Sequence, residues 1–388
     1  MTVTYTAASS NVFSGVLGVP TLPVNGSSTA NATRAPNINF FLTMDTSPSM
    51  LLPSTSAGLT AISNATSTSH LSNGCAFACH TQNPHNDNIY IQNSAGKDIW
   101  LDNSSGNWCP LSSVGSTKVT CTNSTQYTIA NGQYADSYWL TRHYSLLYSG
   151  SNIPLRIDEE QSAAQNLIPF AVTTATNNQV TYKMQLFTYD WTHPTKSSPV
   201  TAVTSSMNDV NNMTSYTVPN FYNNQDNWYN NNCPTSSLCN SDQGTEVHNM
   251  LTTMNGAMPD PGDGTTSAQA QEVLFIITDG VTDELTGGSR RNREWSSTNL
   301  SDCTTIKNRG IRIAILYTEY LPESLAGDSW SQSNVAPYLP NVEGALKSCA
   351  SARPDGTPLY YKVTTDQSIS DALTALFALT VQSAHLTR

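Results

Sequence analysis

Residues 38–50 read Ile-Asn-Phe-Phe-Leu-Thr-Met-Asp-Thr-Ser-Pro-Ser-Met and carry the strongest signal for the fold. The short apolar run at 38–42 predicts a β-strand that is buried on both faces. Asp45, Ser47 and Ser49 follow it with the spacing Asp-x-Ser-x-Ser. In open α/β sheets, ligands bind just outside the carboxyl ends of the strands. Because a carboxylate and two hydroxyls are hard oxygen donors, this loop predicts a site for Mg²⁺, with Mn²⁺ or Ca²⁺ as alternatives.

Two later stretches place further oxygen atoms at the same predicted edge. The apolar run 273–277 predicts a second buried strand, and Thr278-Asp279-Gly280 follows it. Gly244-Thr245 stands before a helix whose apolar positions begin at Val247. The predicted metal ligands are therefore Asp45, Ser47, Ser49, Thr245 and Asp279. No catalytic residue and no residue for another cofactor is predicted.

The remaining chain alternates apolar strands with amphipathic helices. Further strands are predicted at 180–186, 311–317 and 360–363. Helices are predicted at 140–148, 159–172 (with a kink at Pro169), 337–349 and after Ser368-x-x-Asp371, a variant of the capping box. Such alternation predicts an α/β fold with a doubly wound, mostly parallel sheet and helices on both faces.

Two segments differ in composition from this pattern. Residues 1–36 are uncharged except for Arg34 and have β-leaning pieces, so they predict a β-rich N-terminal segment. The α/β domain is assigned to 37–388. Within it, 52–133 is rich in Ser, Thr, Asn and Gly, shows no sustained period and holds four of the eight Cys. A loop of that length is unusual in a compact domain, so we interpret it as a disulfide-stapled insertion.

Composition excludes some classes of partner. The chain has 388 residues, a formal net charge of −11 and only 17 Lys and Arg, which argues against binding to a nucleic-acid backbone. No run approaches the roughly 18 consecutive apolar residues of a membrane-spanning helix. Eight Cys and a polar surface of Ser, Thr and Asn favour an oxidising, extracytoplasmic compartment. The first thirty residues lack the pattern of a secretory signal, so we hypothesise that a natural membrane anchor is absent from this chain and that Met1 is not the natural start.

The five oxygen-bearing residues resemble the metal-ion-dependent adhesion site of von Willebrand factor type A domains. Asp45, Ser47 and Ser49 match its first motif, Thr245 its second and Asp279 its third. The resemblance implies that the hydroxyls bind the cation directly and the Asp side chains bind it directly or through water. It also implies that a carboxylate of a partner completes the coordination.

A narrower resemblance is to TadG-type proteins of bacterial Flp (tight-adherence) pilus systems. It rests on Gly74-Cys-Ala-Phe-Ala-Cys-His80, Leu155-Arg-Ile-Asp158 and Cys349-Ala-Ser351. The segment 1–36 is similar to the pilin-like portion that follows the membrane anchor of those proteins. The resemblance covers 1–51 and about 134–388, and within 52–133 only the Cys75–His80 motif matches. It implies a location at the bacterial surface, in a pilus or in the periplasm, with other pilus components as partners.

The cysteines and a few charged groups have several interpretations. Cys75-x-x-x-Cys79-His80 is one residue longer than the attachment motif of haem c. These residues could also form a metal site together with His85, but the simplest interpretation is that Cys75 and Cys79 form disulfides, with each other or across the insertion. Pairings are expected for Cys109 with Cys121, Cys233 with Cys239, and Cys303 with Cys349, although eight Cys allow 105 connectivities. Asp158-Glu-Glu160 is interpreted as negative charge in the first turn of a helix. Residues 260–265 are expected to form a solvated turn. The basic cluster of Arg290, Arg291 and Arg293 is expected to form a solvated face.

Together these features predict a divalent-metal-dependent adhesion or protein-docking module of a bacterial pilus system. Its ligand would be a protein or host surface that presents a carboxylate. The alternative is a structural pilus assembly or tip component in which the metal only stabilises loops. An enzyme is not predicted, because no nucleophile–base pair accompanies the metal motif.

Overall fold

The fold was analysed in a computed structural model. It describes residues 2–10, 21–29, 35–67, 74, 99–102, 108–110, 118–120, 126–128, 132–134, 140–142, 144–145, 148, 150–192, 197–221, 244–286, 289–321, 325 and 329–384. Its helices are α1 Ser56–Thr66, α2 Arg156–Asn178, α3 Val247–Ala257, α4 Ser297–Asn308, α5 Ser329–Asn334, α6 Leu339–Cys349 and α7 Ile369–Ser383. Its strands are β1 Thr2–Ser10, β2 Thr21–Thr29, β3 Ile38–Asp45, β4 Ile99–Asp102, β5 Trp108–Pro110, β6 Lys118–Thr120, β7 Gln126–Thr128, β8 Gly132–Tyr134, β9 Tyr182–Tyr189, β10 Val200–Ala202, β11 Asn208–Asp209, β12 Gln271–Thr278, β13 Thr282–Thr286, β14 Ser289–Arg293, β15 Arg312–Thr318 and β16 Tyr360–Val363.

A mostly parallel central sheet organises the described residues. Its strand order is β10-β9-β3-β12-β15-β16, and β11 pairs with β9 as a seventh strand. The pairs from β9 to β16 are parallel, whereas β10 and β11 run antiparallel to β9. The predicted α/β class with a mostly parallel sheet is confirmed. In this order β3 lies between β9 and β12, so the loops after those three strands are neighbours.

Two apolar clusters lie on opposite faces of this sheet. Along β12, Val273, Phe275 and Ile277 belong to one cluster, whereas Leu274 and Ile276 belong to the other. Successive strand residues point to opposite faces, which explains why this strand is apolar at nearly every position. The first cluster also contains the buried apolar residues of α2 and α7, and the second those of α3, α4 and α6.

Helix α2 is longer than its sequence pattern predicted. It runs for 23 residues, from Arg156 through Pro169 to Asn178, rather than from 159 to 172. Asp158 receives a hydrogen bond from the Leu155 N–H (2.9 Å) and an ion pair from Arg142 (2.7 Å), which stabilises the first turn. The longer helix matters for function, because its first two turns lie under the loop after β3.

The Cys303–Cys349 disulfide is present, as predicted. It joins α4 to the last residue of α6, with the two Cα atoms 5.3 Å apart. Both side chains are fully buried in the second apolar cluster. The other predicted pairings stay predictions, because the side chains involved lie outside the described part of the structure. These cysteines are Cys75, Cys79, Cys109, Cys121, Cys233 and Cys239.

Outside the central sheet, the described segments are short. The N-terminal strands β1 and β2 form an antiparallel pair from Thr2↔Thr29 to Ser10↔Thr21. The segment 52–133 begins with helix α1, which its composition did not predict. Residues 99–134 contribute the small sheets β5-β4-β8 and β6-β7. No helix in the described part of the chain is both long and apolar enough to cross a membrane.

Candidate metal-ion site at the carboxyl edge of the sheet

Asp45 is the last residue of β3 and forms the centre of the site. Its side chain is fully buried. One carboxylate oxygen, Oδ1, accepts a hydrogen bond from the Ser47 N–H at 3.0 Å. The other, Oδ2, accepts hydrogen bonds from the hydroxyls of Tyr189 at 3.2 Å and Thr278 at 2.9 Å. These hydroxyls come from the ends of β9 and β12, so the two neighbouring strands fix the position of Asp45.

Ser47 and Ser49 lie beside each other in the loop after β3. Their hydroxyl oxygens are 3.0 Å apart and form a hydrogen bond. Ser47 has an extended backbone (φ −64°, ψ 160°), and Pro48 then begins a short 3₁₀ turn that brings Ser49 back toward it. The Met50 N–H closes this turn on the Ser47 carbonyl at 3.0 Å. The Asp-x-Ser-x-Ser spacing therefore places two hydroxyl oxygens next to the Asp45 carboxylate.

Asp279 follows β12 and is also fully buried. Its Oδ1 accepts a hydrogen bond from the Val281 N–H at 3.1 Å, and the Ser49 hydroxyl is close enough to lower its pKa. Its Oδ2 is buried and has no hydrogen-bond partner among the described residues. Gly280 makes the sharp turn possible, because its φ is +79° and a Cβ there would lie 2.4 Å from Val342 Cγ1.

Thr245 reaches the same edge through its backbone. Its N–H donates to the Asp283 carbonyl at 3.3 Å, and the Asp283 N–H donates to the Thr245 carbonyl at 3.0 Å. The next N–H, that of Glu246, donates to the Asp190 carbonyl at 2.8 Å. Asp190 directly follows β9, and Asp283 lies in β13, which comes shortly after β12, so this segment connects the ends of β9 and β12. The Thr245 side chain is 3% exposed.

The structure thus brings the five predicted site residues to one edge of the sheet. Asp45, Ser47, Ser49 and Asp279 are linked by direct contacts or electrostatic interaction. Thr245 is held there by the loop that bridges the ends of β9 and β12. Their role as metal ligands stays a prediction.

Glu160 belongs to this site, although the sequence interpretation did not include it. Its side chain, on the second turn of α2, is fully buried, and its Oε1 accepts a hydrogen bond from the Asp45 N–H at 3.1 Å. Its Oε2 is buried without a hydrogen-bond partner in the described part of the chain. The interpretation of 158–160 as helix-dipole charge holds for Asp158 but is insufficient for Glu160. The available signal was the helix period, which puts Glu160 on the apolar stripe of Ala163, Ala164 and Leu167.

Arg156 contributes a buried positive charge near the same edge. It is 4% exposed, and its Nη1 donates to the Thr318 carbonyl at 3.3 Å, at the end of β15. Burial lowers the pKa of Arg156, and attraction to Asp279 opposes that change. Arg156 and Glu160 are four residues apart, so they lie on the same side of α2.

Burial and mutual repulsion both disfavour the ionised carboxylates. Burial raises the pKa of Asp45, against the effect of its hydrogen bonds. Burial and then the charge of Asp45 raise the pKa of Asp279 to about 7. Burial and the Asp45 charge also raise the pKa of Glu160 well above its usual range. A cation bound nearby would relieve this cost, since opposite charge favours the ionised forms.

The donor chemistry fits a hard divalent cation. Carboxylate and hydroxyl oxygens are available together, and Asp279 Oδ2 accepts no hydrogen bond from the described residues. Among the described residues, no three His, Cys, Asp or Glu side chains converge closely enough to hold a metal ion by themselves. A cation here would therefore depend on the hydroxyls as well as on the two Asp side chains.

Comparison with known proteins gives structural likenesses only. No family model and no curated protein matches the sequence. Similar solved structures include the pilus adhesin SpaC from Lactobacillus rhamnosus GG in its open conformation (12% identity, 59% of this chain and 28% of that chain, TM-score 0.34). A second is the vWF domain of the type V pili tip protein Mfa5 from Porphyromonas gingivalis (8% identity, 90% of this chain and 97% of that chain, TM-score 0.37). A third is the PilB minor pilin from Streptococcus sanguinis (10% identity, 94% of this chain and 65% of that chain, TM-score 0.34). The chain matches less than a third of the length of SpaC, and these likenesses assign no role to any residue.

Proposed function

We propose that this chain is a divalent-metal-dependent adhesion or protein-docking module of a bacterial surface pilus system. The main support is the convergence of Asp45 and Asp279, two buried carboxylates, beside the paired hydroxyls of Ser47 and Ser49. Asp279 Oδ2 is buried and has no hydrogen-bond partner in the part of the chain that the structure describes, and such an oxygen is the kind of atom that a cation or its bound water satisfies.

The five residues would hold the cation and leave one of its coordination positions open to a ligand. The hydroxyls of Ser47, Ser49 and Thr245 would bind the cation without adding charge, and Asp45 and Asp279 would bind it directly or through water. Bound Mg²⁺ supplies a Lewis acid with a position for a carboxylate oxygen of the partner. The partner is accordingly a protein or host-surface ligand that presents Asp or Glu.

The pilus context is the finer part of the proposal and rests on sequence motifs. The stretch Leu155-Arg-Ile-Asp158 that resembles TadG-type proteins begins helix α2, whose first turns reach the site. Cys349 of the last motif forms the disulfide to Cys303. We accordingly place the chain outside the cytoplasm, at the bacterial surface, in a pilus or in the periplasm, with other pilus components as partners.

The proposal is a binding function without turnover. The Ser47 hydroxyl is hydrogen-bonded to the Ser49 hydroxyl, which is not a base that could activate it as a nucleophile. Hydrolysis of a substrate that required Asp279 would overturn this part of the proposal.

The test has two steps, beginning with the metal alone. Isothermal titration of the apo protein with MgCl₂ is expected to give one site per chain, which Asp45→Ala abolishes. Asp263→Ala is the matched control, because Asp263 is an exposed carboxylate in the loop that precedes β12, away from the site. A wild-type chain that binds no Mg²⁺, Mn²⁺ or Ca²⁺ would refute metal dependence.

The second step separates adhesion from a structural role. Bacteria that display the wild-type chain, the Asp45→Ala variant or the control are compared for attachment in Mg²⁺ and after chelation. The adhesive reading predicts that Asp45→Ala abolishes attachment while the purified variant keeps its fold. If the variant only loses thermal stability and attachment is unchanged, the metal braces the loops, as in a structural pilus component.

A further inference from the structure

We infer that Glu160 is a positioning residue of the cation site, which fixes Asp45 through its backbone and supplies a third buried negative charge that favours a divalent cation. This inference rests on the proposed function. It goes beyond the five-residue motif, because Glu160 lies on a helix that contributes no residue to that motif.

The first support is the contact between Glu160 and the loop after β3. Glu160 Oε1 accepts the Asp45 N–H at 3.1 Å, so it holds the backbone of the residue whose carboxylate also bonds Tyr189 and Thr278. Removing this acceptor would leave a buried N–H without a partner, which destabilises the backbone of Asp45. A structural role of this kind requires only a hydrogen-bond acceptor, and it does not require a charge.

The second support is Glu160 Oε2, the carboxylate oxygen that does not contact the Asp45 N–H. Glu160 Oε2 is buried and finds no partner among the described residues, and Asp279 Oδ2 is in the same situation. Electrostatic repulsion links Glu160 to both Asp45 and Asp279. A glutamine would satisfy the Asp45 N–H equally well, so packing and hydrogen bonding alone do not explain a carboxylate at this position.

The third support is the balance of buried charge. When ionised, Asp45, Asp279 and Glu160 carry three negative charges, and Arg156 carries one positive charge that attracts Asp279. Within this set two negative charges remain, and the buried carboxylates of Asp190 and Glu246 lie at the same edge, so a divalent cation there meets an excess of negative charge. Without Glu160 this excess of negative charge is smaller, so a divalent cation is held less tightly.

Glu160→Gln tests the charge while it keeps the size and the acceptor for the Asp45 N–H. The Kd for MgCl₂ alone, measured by isothermal titration, is expected to weaken by about 10- to 100-fold, as is typical when outer-shell partners of metal ligands are removed. The melting temperature in EDTA is expected to change little, because glutamine keeps the size of the side chain and the acceptor for the Asp45 N–H. Glu159→Gln is the matched control, since Glu159 is half-buried in the first turn of the same helix, and it should bind Mg²⁺ like the wild type.

A second probe separates charge from disturbance of the fold. The effect of a lost charge grows with the charge of the ion, so Glu160→Gln should weaken Tb³⁺ binding by a larger factor than Mg²⁺ binding. Equal losses for Tb³⁺ and Mg²⁺, or a variant that binds Mg²⁺ as tightly as the wild type, would overturn the inference. If the wild type binds neither ion, the proposed function fails and the inference with it. If the wild type and the variant bind equally, only the inference fails.

Discussion

Glu272→Gln should remove one defined part of the pH dependence of stability without touching the candidate metal site. Glu272 lies at the start of β12, and Asp279 follows the end of that strand, so the two are about 20 Å apart at the rise of a β-strand. The Glu272 side chain is 2% exposed. Its Oε1 accepts a hydrogen bond from Asn39 Nδ2 at 2.8 Å, and its Oε2 is buried with no partner within the described residues.

The expected magnitude follows from the pKa of this carboxyl group. Burial raises it from 4.5 to about 7, although the Asn39 hydrogen bond and the positive charges of Lys183 and Arg309 act in the opposite direction. Between these pH values the folded state keeps a proton that the unfolded chain releases, so stability falls as the pH rises. At about 1.4 kcal/mol per pKa unit, the wild type loses about 3 kcal/mol across this window through Glu272 alone.

The assay is chemical denaturation at pH 5 and pH 8 in EDTA, so that no cation contributes. The free energy of unfolding of the wild type should fall from pH 5 to pH 8 by about 2.5 kcal/mol more than that of Glu272→Gln, because part of the effect already occurs below pH 5. Glu159→Gln, which removes a half-buried carboxylate, should retain the wild-type dependence. If Glu272→Gln loses as much stability as the wild type between the two pH values, the reasoning about this carboxyl group is refuted.

Three further perturbations test other parts of the structure. Replacing both Cys303 and Cys349 by Ala should lower the free energy of unfolding by about 4 kcal/mol, because the disulfide closes a loop with a sequence separation of 46 residues and so limits the entropy of the unfolded chain. A decrease below about 1 kcal/mol in chemical denaturation would contradict this expectation. Thr245→Val, which keeps the shape but removes the hydroxyl, should weaken the Kd for Mg²⁺ by at least about tenfold, whereas unchanged calorimetric binding would remove Thr245 from the site. Gly280→Ala should destabilise the fold by about 1–3 kcal/mol, because its Cβ would overlap Val342 where φ is +79°, and an unchanged melting temperature would argue against that turn.

The central strands were predictable from sequence because a strand that is buried on both faces has a continuous run of apolar residues. The run 273–277 lies within β12, Gln271–Thr278, and the strand predicted at 360–363 has those bounds in the structure. The residues that follow the apolar runs, Asp45 and Asp279, were predictable for the same reason.

Helix α1 was missed because its sequence carries little helical signal. Ser56–Thr66 is rich in Ser, Thr, Asn and Gly, and only Gly58, Ile62 and Thr66 are buried. The helix is supported from outside the segment, because the Asp366 carboxylate accepts hydrogen bonds from the Ser56 N–H at 3.0 Å and the Ser56 hydroxyl at 2.6 Å. Support from a residue 310 positions away cannot be read from local sequence.

Glu160 was missed because a local explanation for an acidic residue near a helix start was already sufficient. Its contact with the Asp45 N–H depends on which helix lies under which strand end. The same holds for Tyr189, which reaches Asp45 only because β9 is the neighbour of β3. Strand order and helix placement are tertiary facts, so a sequence motif can identify direct ligands before it identifies the residues that support them.

A crystal structure at saturating MnCl₂ tests the central claim most directly, because anomalous scattering locates the ion independently of the model of the protein. We expect one Mn²⁺ at the carboxyl edge of the sheet, bounded by Asp45, Ser47, Ser49, Thr245 and Asp279. With MgCl₂ instead, the metal–oxygen distances should be about 2.1 Å, and with CaCl₂ about 2.4 Å. An anomalous map with no peak between Asp45 and Thr245, or with its peak at a different set of residues, would contradict the account.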